Sequence, residues 1–184
     1  MASLHERYTT IQPKLSEQLG IANSFAIPRI QKITLNVGLG DIKGNEPLQK
    51  SIVEGLGLIT SQKPIPTRSK TSIAGFKLRE GDMIGYKVTL RGQRMYEFLE
   101  RMITYVFPRL RDFHGFEKKG LDAHGNYSFG LREHTVFPEI PFESATRPWS
   151  MQITITTSAK DKAGAEALLE QLGFPFTKPK GETK

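Results

Sequence analysis

Three histidines are the first candidates for chemistry in this chain, because His114, His124 and His134 follow one another at intervals of ten residues. That spacing does not bring two of them onto one helix face, which a zinc site of the H-E-x-x-H type requires. We therefore interpret them as scattered surface histidines. The chain has no cysteine, so disulfides, thiol catalysis and cysteine-ligated zinc are excluded, and a reducing compartment is favoured.

Two glycine-rich segments are candidates for phosphate-binding loops. Residues 38–44 read G-x-G-x-x-x-G, one residue longer than a dinucleotide fingerprint, and residues 62–64 supply no acid for a ribose. Residues 115–120 lack the Lys-Ser/Thr pair of a phosphate-binding loop, and no G-x-S-x-G motif is present. We expect a glycine turn in the first segment, and a protein that is not an enzyme and needs no cofactor or metal.

Basic residues are concentrated in the middle of the chain. Between Lys63 and Lys119 there are 13 Lys/Arg against 6 Asp/Glu, whereas the remainder holds 13 of each, so this third carries the whole net charge of +7. A protein that is merely soluble and basic would spread its charge more evenly. The pattern is typical of a surface that binds a polyanion.

The centre of this region is a segment from Ser69 to Met83 that contains Lys70, Lys77 and Arg79 with two glycines. It is longer than an ordinary connection, and loops of this length are usually functional or disordered. A solvated surface excursion is the alternative interpretation.

Three segments alternate as strands do: Ile30–Val37, Ile84–Arg91 and Met151–Thr157. Each has an apolar side, and in the second segment we expect Ile84, Tyr86, Val88 and Leu90 to be buried. The other side is polar, with Thr34, Asn36, Lys87, Thr89, Arg91, Gln152, Thr154 and Thr156. Residues 63–68 predict an edge strand because of their two prolines, and residues 126–131 predict a short strand.

Four amphipathic helices accompany these strands. The first uses Leu4, Tyr8, Ile11 and Leu15, is kinked or restarted at Pro13 and ends at Gly20. The second is capped by Asn45 and buries Leu48, Ile52, Leu56 and Ile59. The third spans Gln93–Phe107, with a stripe of Met95, Phe98, Leu99, Met102, Ile103 and Val106 and an end at Pro108. The fourth is capped by Asp161 and ends at Gly173.

These elements predict an α+β fold: a mainly antiparallel sheet with helices on one face and an exposed polar face on the other. We expect a single domain over residues 1–176 and a disordered basic tail over 177–184. No apolar run has the length of about 18 residues that a membrane helix needs, and the N-terminus has no signal-peptide core.

Hydroxyls and amides mixed with Lys and Arg suit phosphate and 2′-hydroxyl contacts, so we expect the polar face to bind RNA rather than specific DNA. A basic protein-interaction adaptor is the alternative. The segment Phe137–Phe142 either packs under the domain or presents a partner surface.

Several motifs, in order, resemble one family: KTSIAGFKLREGDMIGYKVTLRG, RMYEFLERM, FPRLRDFHGF, GNYSFGLRE, FPEI and ITITTSAKDKAGAEALL. They are similar to the bacterial ribosomal protein L five family over Ile27–Phe176. That family belongs to the large ribosomal subunit and binds 5S rRNA in the central protuberance. The resemblance therefore implies a structural ribosomal protein in a bacterial cytoplasm, in contact with neighbouring proteins of the central protuberance.

The resemblance also assigns residues to three contacts. Binding to 5S rRNA is implied for Asn36, Gln62, Lys63, Lys87, Thr89, Arg91 and Thr154. The mobile loop Ser69–Met83 is expected to reach P-site tRNA and 23S rRNA through Lys70, Thr71, Ser72, Phe76, Lys77 and Arg79. A bridge to ribosomal protein S thirteen of the small subunit is expected at Arg109, Arg111, Asp112, Phe137 and Glu139.

Three places depart from the family pattern. His114 stands where relatives usually have Arg, Leu121-Asp122-Ala123 replaces an FDG-type turn, and Pro141–Trp149 is unlike the usual linker. Because two of these lie near the expected bridge, the bridge assignment depends more on this chain's own geometry than the 5S rRNA assignment does.

Overall fold

A computed structural model of the chain describes residues 4–40, 45–111, 113–141 and 147–177. Within these ranges the α-helices are α1 (Leu4–Leu19), α2 (Glu46–Thr60), α3 (Gly92–Arg101) and α4 (Lys162–Gln171). The strands are β1 (Ile30–Gly38), β2 (Ile65–Arg68), β3 (Met83–Leu90), β4 (Tyr127–Leu131) and β5 (Met151–Thr157). The predicted α+β class is confirmed. No helix in the described ranges is long and apolar enough to cross a bilayer.

The five strands form one antiparallel sheet in the order β2-β3-β1-β5-β4. The edge position that Pro64 and Pro66 predict for β2 is confirmed. Proline has no backbone N–H to donate to a neighbouring strand, so within a sheet it is tolerated mainly on an edge strand, where one side has no neighbour.

The chain divides into two compact units. The first comprises Met1–Ile33, Leu90–Phe129 and Thr154–Lys184, and contains α1, α3 and α4. Its interior is built on aromatic rings: Phe107, which is 1% exposed, lies with its ring centroid 4.9 to 6.0 Å from those of Phe113, Phe116, Phe129 and Phe174. Such a dense ring cluster fixes β4 and the C-terminal segment against the end of the α3 region.

The second unit comprises Thr34–Thr89 and Gly130–Ile153. Helix α2 buries the predicted stripe of Leu48, Ile52, Leu56 and Ile59. The Asn45 side chain accepts the Leu48 N–H at 3.2 Å, so the predicted N-cap is confirmed. The predicted cap of α4 in the first unit is confirmed as well, because the Asp161 carboxylate accepts the Gly164 N–H at 2.9 Å.

Helix α1 is one helix that continues through Pro13 and is followed by Gly20 with φ of +63°. Of the two alternatives predicted at Pro13, a kink or a restart, the restart is excluded. The stop at Gly20 is confirmed, because a left-handed residue there closes the last turn. Leu4, Tyr8 and Leu15 are buried, and Ile11 is only half-buried.

The predicted helix Gln93–Phe107 is present but is not uniform. It is α-helical from Gly92 to Arg101, becomes a π-helix over Met102–Val106, and ends in a 3₁₀ turn over Phe107–Arg109. The predicted stripe residues Met102 and Val106 remain buried in the π-helix, whereas Ile103 is only half-buried, in contrast to the prediction.

The alternation predicted for β3 fails at its first apolar position. Ile84 is 39% exposed, although Tyr86, Val88 and Leu90 are buried. The pairing with β2 explains this, because Thr67 is opposite Gly85 and Arg68 is opposite Met83, which leaves Ile84 without a partner residue on β2. Such a bulge shifts the side chain out of the two-residue period.

Candidate nucleic-acid interface

The polar face of the sheet begins in the second unit with β1 and β3. On β1, Asn36 is exposed and Thr34 is half-buried; on β3, Lys87 is exposed and Thr89 is half-buried. The alternate residues of both strands, such as Leu35 and Val88, are buried. The two-residue period therefore places one amide, two hydroxyls and one ammonium group on the side of the strands that the core leaves open.

The electrostatic character of the sheet is unusual. None of the five described strands contains an Asp or Glu, whereas they carry Lys32, Lys87 and Arg68. The polar groups that accompany these cations are neutral: threonine and serine hydroxyls and side-chain amides. A surface of this composition attracts an anionic partner and offers it donors without a repelling carboxylate.

Gln62 and Lys63 lie between α2 and β2. Thr60 anchors this connection, since its hydroxyl lies 2.6 Å from the Leu56 carbonyl and 3.1 Å from the Gln62 carbonyl. Beyond it, Gln62 is half-buried and Lys63 is exposed. The Thr60 hydroxyl thus positions the Gln62 carbonyl just before the chain enters the edge strand.

Ile65 was not among the predicted site residues. It pairs with Lys87 across β2 and β3, and cross-strand partners share a face. The Ile65 side chain is 58% exposed, so it adds an apolar surface beside the Lys87 ammonium. The two prolines predicted that β2 is an edge strand, but the sequence does not show which residue of β3 each residue of β2 pairs with.

The first unit holds the other two residues for which the resemblance implies 5S rRNA binding. Arg91 is exposed and immediately precedes α3. Thr154 is half-buried, and its hydroxyl lies 3.0 Å from the hydroxyl of Ser128 on the neighbouring strand β4. One hydrogen bond of Thr154 is therefore already used within the sheet, which leaves it less able to serve a partner than Asn36 or Thr89.

The predicted loop is closed by backbone hydrogen bonds at its base. The Ser69 N–H donates to the Asp82 carbonyl at 2.8 Å, and the Gly81 N–H donates to the Ser69 carbonyl at 3.0 Å. Near the tip, Ile73 and Leu78 exchange two backbone bonds of 3.0 and 3.1 Å around a turn at residues 74–76. The loop therefore has a defined path without a hydrophobic core of its own.

All six predicted loop residues are exposed: Lys70, Thr71, Ser72, Phe76, Lys77 and Arg79. Phe76 is 75% exposed and lies beside Lys77, whose φ of 50° is left-handed. Ser72 has a local task, because its hydroxyl accepts the Glu80 N–H at 3.0 Å. The loop thus presents one aromatic ring and three cations on a closed backbone.

The residues predicted for the inter-subunit bridge differ in accessibility. Arg109 at the end of the 3₁₀ turn and Arg111 just after it are exposed, and Glu139 is half-buried. Phe137 is 2% exposed, so its side chain packs inside its unit and positions its neighbours instead of meeting a partner directly. Asp112 and Phe142 lie outside the described residues.

Part of the basic surplus is neutralised within the first unit. The Lys118 ammonium pairs with the carboxylates of Glu166 and Glu170, the latter at 2.9 Å, and these bonds raise the pKa of Lys118. Lys119 lies 3.2 Å from the Glu117 carboxylate. Lys118 and Lys119 are therefore less available to a polyanion than the count along the chain indicated.

His134 is not a surface residue, so that prediction was wrong. It is 2% exposed and stacks on Trp149 with 4.4 Å between ring centroids. Its Nδ1 accepts the backbone N–H of Trp149 at 3.3 Å. Trp149 in turn packs on Gly55, where an added Cβ would lie 3.0 Å from the indole Cζ2. The stack fixes the segment after residue 147 to α2, whereas His114 and His124 are exposed as predicted.

Burial lowers the pKa of His134 from its usual value of 6.5, so the folded protein binds fewer protons at this site than the unfolded chain does. We expect the resulting stability to be fully present above pH 6.5 and to be lost as the pH falls through the folded pKa. Urea denaturation between pH 5 and pH 7.5 measures this. The variant His134→Phe should show a smaller dependence on pH, and the exposed control His124→Gln should keep that of the parent.

Comparison with known proteins decides the family of this chain. A family model described as "Ribosomal protein L5" matches residues 23–79, and a second model, described as the C-terminus of the same ribosomal family, matches residues 83–176. The chain belongs to the ribosomal protein L5 family. The resemblance inferred from the motifs is thereby confirmed, and the L5 models together cover both strands that carry Asn36 and Thr89.

Relatives that match the chain over nearly its full length are named "Large ribosomal subunit protein uL5". The protein of Dichelobacter nodosus is 51% identical over 177 residues, which is 96% of this chain and 99% of the relative. Those of Shewanella piezotolerans and Natranaerobius thermophilus are each 45% identical, over 97% and 96% of this chain and 100% and 99% of the relatives. All three relatives are thus named as proteins of the large ribosomal subunit.

Proposed function

We propose that this chain is a structural, non-catalytic constituent of the bacterial large ribosomal subunit, resident on cytoplasmic ribosomes, and that its sheet binds 5S rRNA in the central protuberance. The observation that carries the proposal is the absence of any carboxylate from the five described strands. Membership of the L5 family supports it, because the relatives are named as large-subunit proteins.

The proposed 5S rRNA-binding residues have different roles because their side chains differ in chemistry. Lys63, Lys87 and Arg91 are exposed cations that neutralise phosphates. Asn36 and Thr89 are neutral, and each can both donate and accept, which suits the 2′-hydroxyls and base edges of a shallow RNA groove. Gln62 and Thr154 are half-buried and contribute at the margin.

The loop of residues 69–82 takes a second partner. Its cations and Phe76 are exposed, and backbone hydrogen bonds close its base. We assign these residues to P-site tRNA and neighbouring 23S rRNA. In this proposal the cations of the loop bind tRNA, and the sheet binds 5S rRNA.

Arg109 and Arg111 are assigned to the bridge with ribosomal protein S thirteen of the small subunit. Both are exposed beside the 3₁₀ turn that ends the α3 region. For Asp112, which lies outside the described residues, and for Phe137 and Glu139 of the second unit, the bridge assignment rests on the family resemblance alone.

A filter-binding titration across salt tests the proposal, with 5S rRNA, a tRNA and an unrelated hairpin as probes. We expect selective binding of 5S rRNA that survives moderate salt. The slope of log K against log salt should be about −2 to −3 if three cations neutralise phosphates. Equal, salt-labile binding to all three RNAs would contradict it. Capture of an acidic protein after nuclease treatment, without RNA selectivity, would favour the adaptor.

A further inference from the structure

The most exposed large apolar side chain in the described part of the molecule is Phe25, at 96%. It lies in the first unit, in the 3₁₀ turn Ser24–Ala26 between α1 and β1. Single exposed apolar residues are common on protein surfaces. A phenyl ring at this exposure, however, contacts almost nothing of its own protein, so it contributes almost none of the burial energy that an aromatic side chain can provide to the fold.

The turn that carries this ring is held in place on its N-terminal side. The Asn23 side chain accepts the Phe25 N–H at 2.9 Å and caps the turn. Before it, the Ser16 hydroxyl of α1 donates to the Ile21 carbonyl at 2.6 Å. The exit from α1 and the start of the turn are thus both fixed by side-chain hydrogen bonds.

The C-terminal side is fixed as well. The Tyr8 hydroxyl donates to the Pro28 carbonyl at 3.1 Å, and Ile27 beside it is buried. Arg29 then exchanges two hydrogen bonds with Ser158: its N–H donates to the Ser158 hydroxyl at 3.0 Å, and its carbonyl accepts the Ser158 N–H at 2.9 Å. The ring is displayed on a rigid backbone, which lowers the entropy lost on binding.

The surroundings of the turn are cationic. Arg29 is exposed, and its bonds to Ser158 bring it beside a segment with exposed Lys160 and Lys162. The carboxylate in that segment, Asp161, is engaged in capping α4. Between residues 20 and 40 the chain contains no Asp or Glu at all.

We propose that Phe25 is a stacking platform for an unpaired base of RNA, with Arg29, Lys160 and Lys162 neutralising the phosphates beside that base. The proposal rests on the proposed rRNA-binding function and adds a contact outside the sheet face and the loop. An aromatic ring among cations is the combination that binds unpaired nucleotides. A protein partner would need a wider apolar rim, but the flanking exposed residues are Asn23, Ser24 and Ala26.

Substitutions of Phe25 in the full chain test the proposal by titration with 5S rRNA. We expect Phe25→Ala to weaken binding about 5- to 20-fold, in the range of a lost base stack. Phe25→Leu should lose nearly as much, because it keeps apolar surface but no aromatic face, whereas Phe25→Trp should retain the parent affinity. The matched control is Tyr105→Ala, which removes another aromatic ring that is 56% exposed.

The Phe25→Trp variant also reports stacking directly. Its indole fluorescence should be quenched by saturating 5S rRNA and should become protected from acrylamide. Trp149 is 3% exposed and supplies a constant background that the parent protein measures. Because Phe25 contacts so little, thermal unfolding of all variants should match the parent.

The outcomes separate this inference from the function on which it rests. If the parent binds 5S rRNA and Phe25→Ala binds equally well, the stacking site is wrong and the sheet-face function stands. Parent-like affinity of Phe25→Leu, or an unquenched Phe25→Trp, would overturn stacking in the same way. If the parent shows no selective binding to 5S rRNA, the proposed function itself fails.

Discussion

The double variant Asn36→Ala/Thr89→Val should bind 5S rRNA about 30- to 150-fold more weakly than the parent. Each side chain offers a hydrogen bond worth about 1 to 1.5 kcal/mol in the interface, and a loss of about 2 to 3 kcal/mol gives this change in Kd. Both substitutions lie on the open side of β1 and β3, and valine retains the β-branched shape of threonine. Filter binding at fixed salt measures the effect, with circular dichroism to show that the domain is folded.

The control for this variant changes the same kinds of group elsewhere. Thr10→Val/Gln171→Ala removes one hydroxyl and one amide from exposed helical positions and should leave the affinity within about twofold of the parent, as expected for surface changes outside the interface. Because Asn36 and Thr89 are neutral, the double variant should also keep the parent's salt slope, whereas Lys87→Ala should reduce that slope by about 1. A folded double variant with parent-like affinity would remove the sheet face as the binding site.

The individual elements of this fold could be predicted because each depends on local chemistry. Asn45 followed by Pro47 marks a helix start whatever surrounds it, and Asp161 does the same for α4. The alternation in β1 and β5 likewise predicted which side of each strand is buried. These signals lie within one turn or one strand, so a single sequence contains them.

The errors arose where a non-local contact overrides the local period. Ile84 alternates correctly with Tyr86, but the bulge against β2 takes it out of register. His134 has a polar neighbourhood in the sequence, yet it is buried by Trp149, which is fifteen residues away. In each case the contact partner is determined by tertiary packing, and the periodicity of one segment contains no information about that partner.

The same distinction between local signals and non-local contacts applies to the candidate site. The open side of each strand was predictable, so Asn36, Lys87 and Thr89 could be named from the sequence. The membership of Ile65 depends on its pairing with Lys87, and the role of Phe25 depends on the hydrogen bonds that hold its turn. An exposed apolar residue has no periodic signal, and only the exposure of its side chain in the folded structure distinguishes it from a core residue.

Reversal of the loop charge by Lys77→Glu/Arg79→Glu should leave the affinity for isolated 5S rRNA within about twofold of the parent. It should weaken P-site tRNA binding to ribosomes that carry the variant by about 10- to 100-fold. Two attractive contacts with phosphates become repulsive, and each change of this kind at an exposed site is worth about 1 kcal/mol. The closed base of the loop should keep the strands unchanged, since its bonds join backbone atoms of Ser69, Gly81 and Asp82.

A matched charge control decides whether position or net charge is responsible. Lys14→Glu/Lys50→Glu makes the same change in net charge at exposed helical residues. If charge acts only through long-range attraction, both double variants should weaken every RNA contact alike, and more so at low salt. If the loop is a separate contact, only its own variant should impair tRNA binding. A large loss of 5S rRNA affinity in the loop variant alone would show instead that the loop and the sheet share one RNA, and the assignment of two partners would then be wrong.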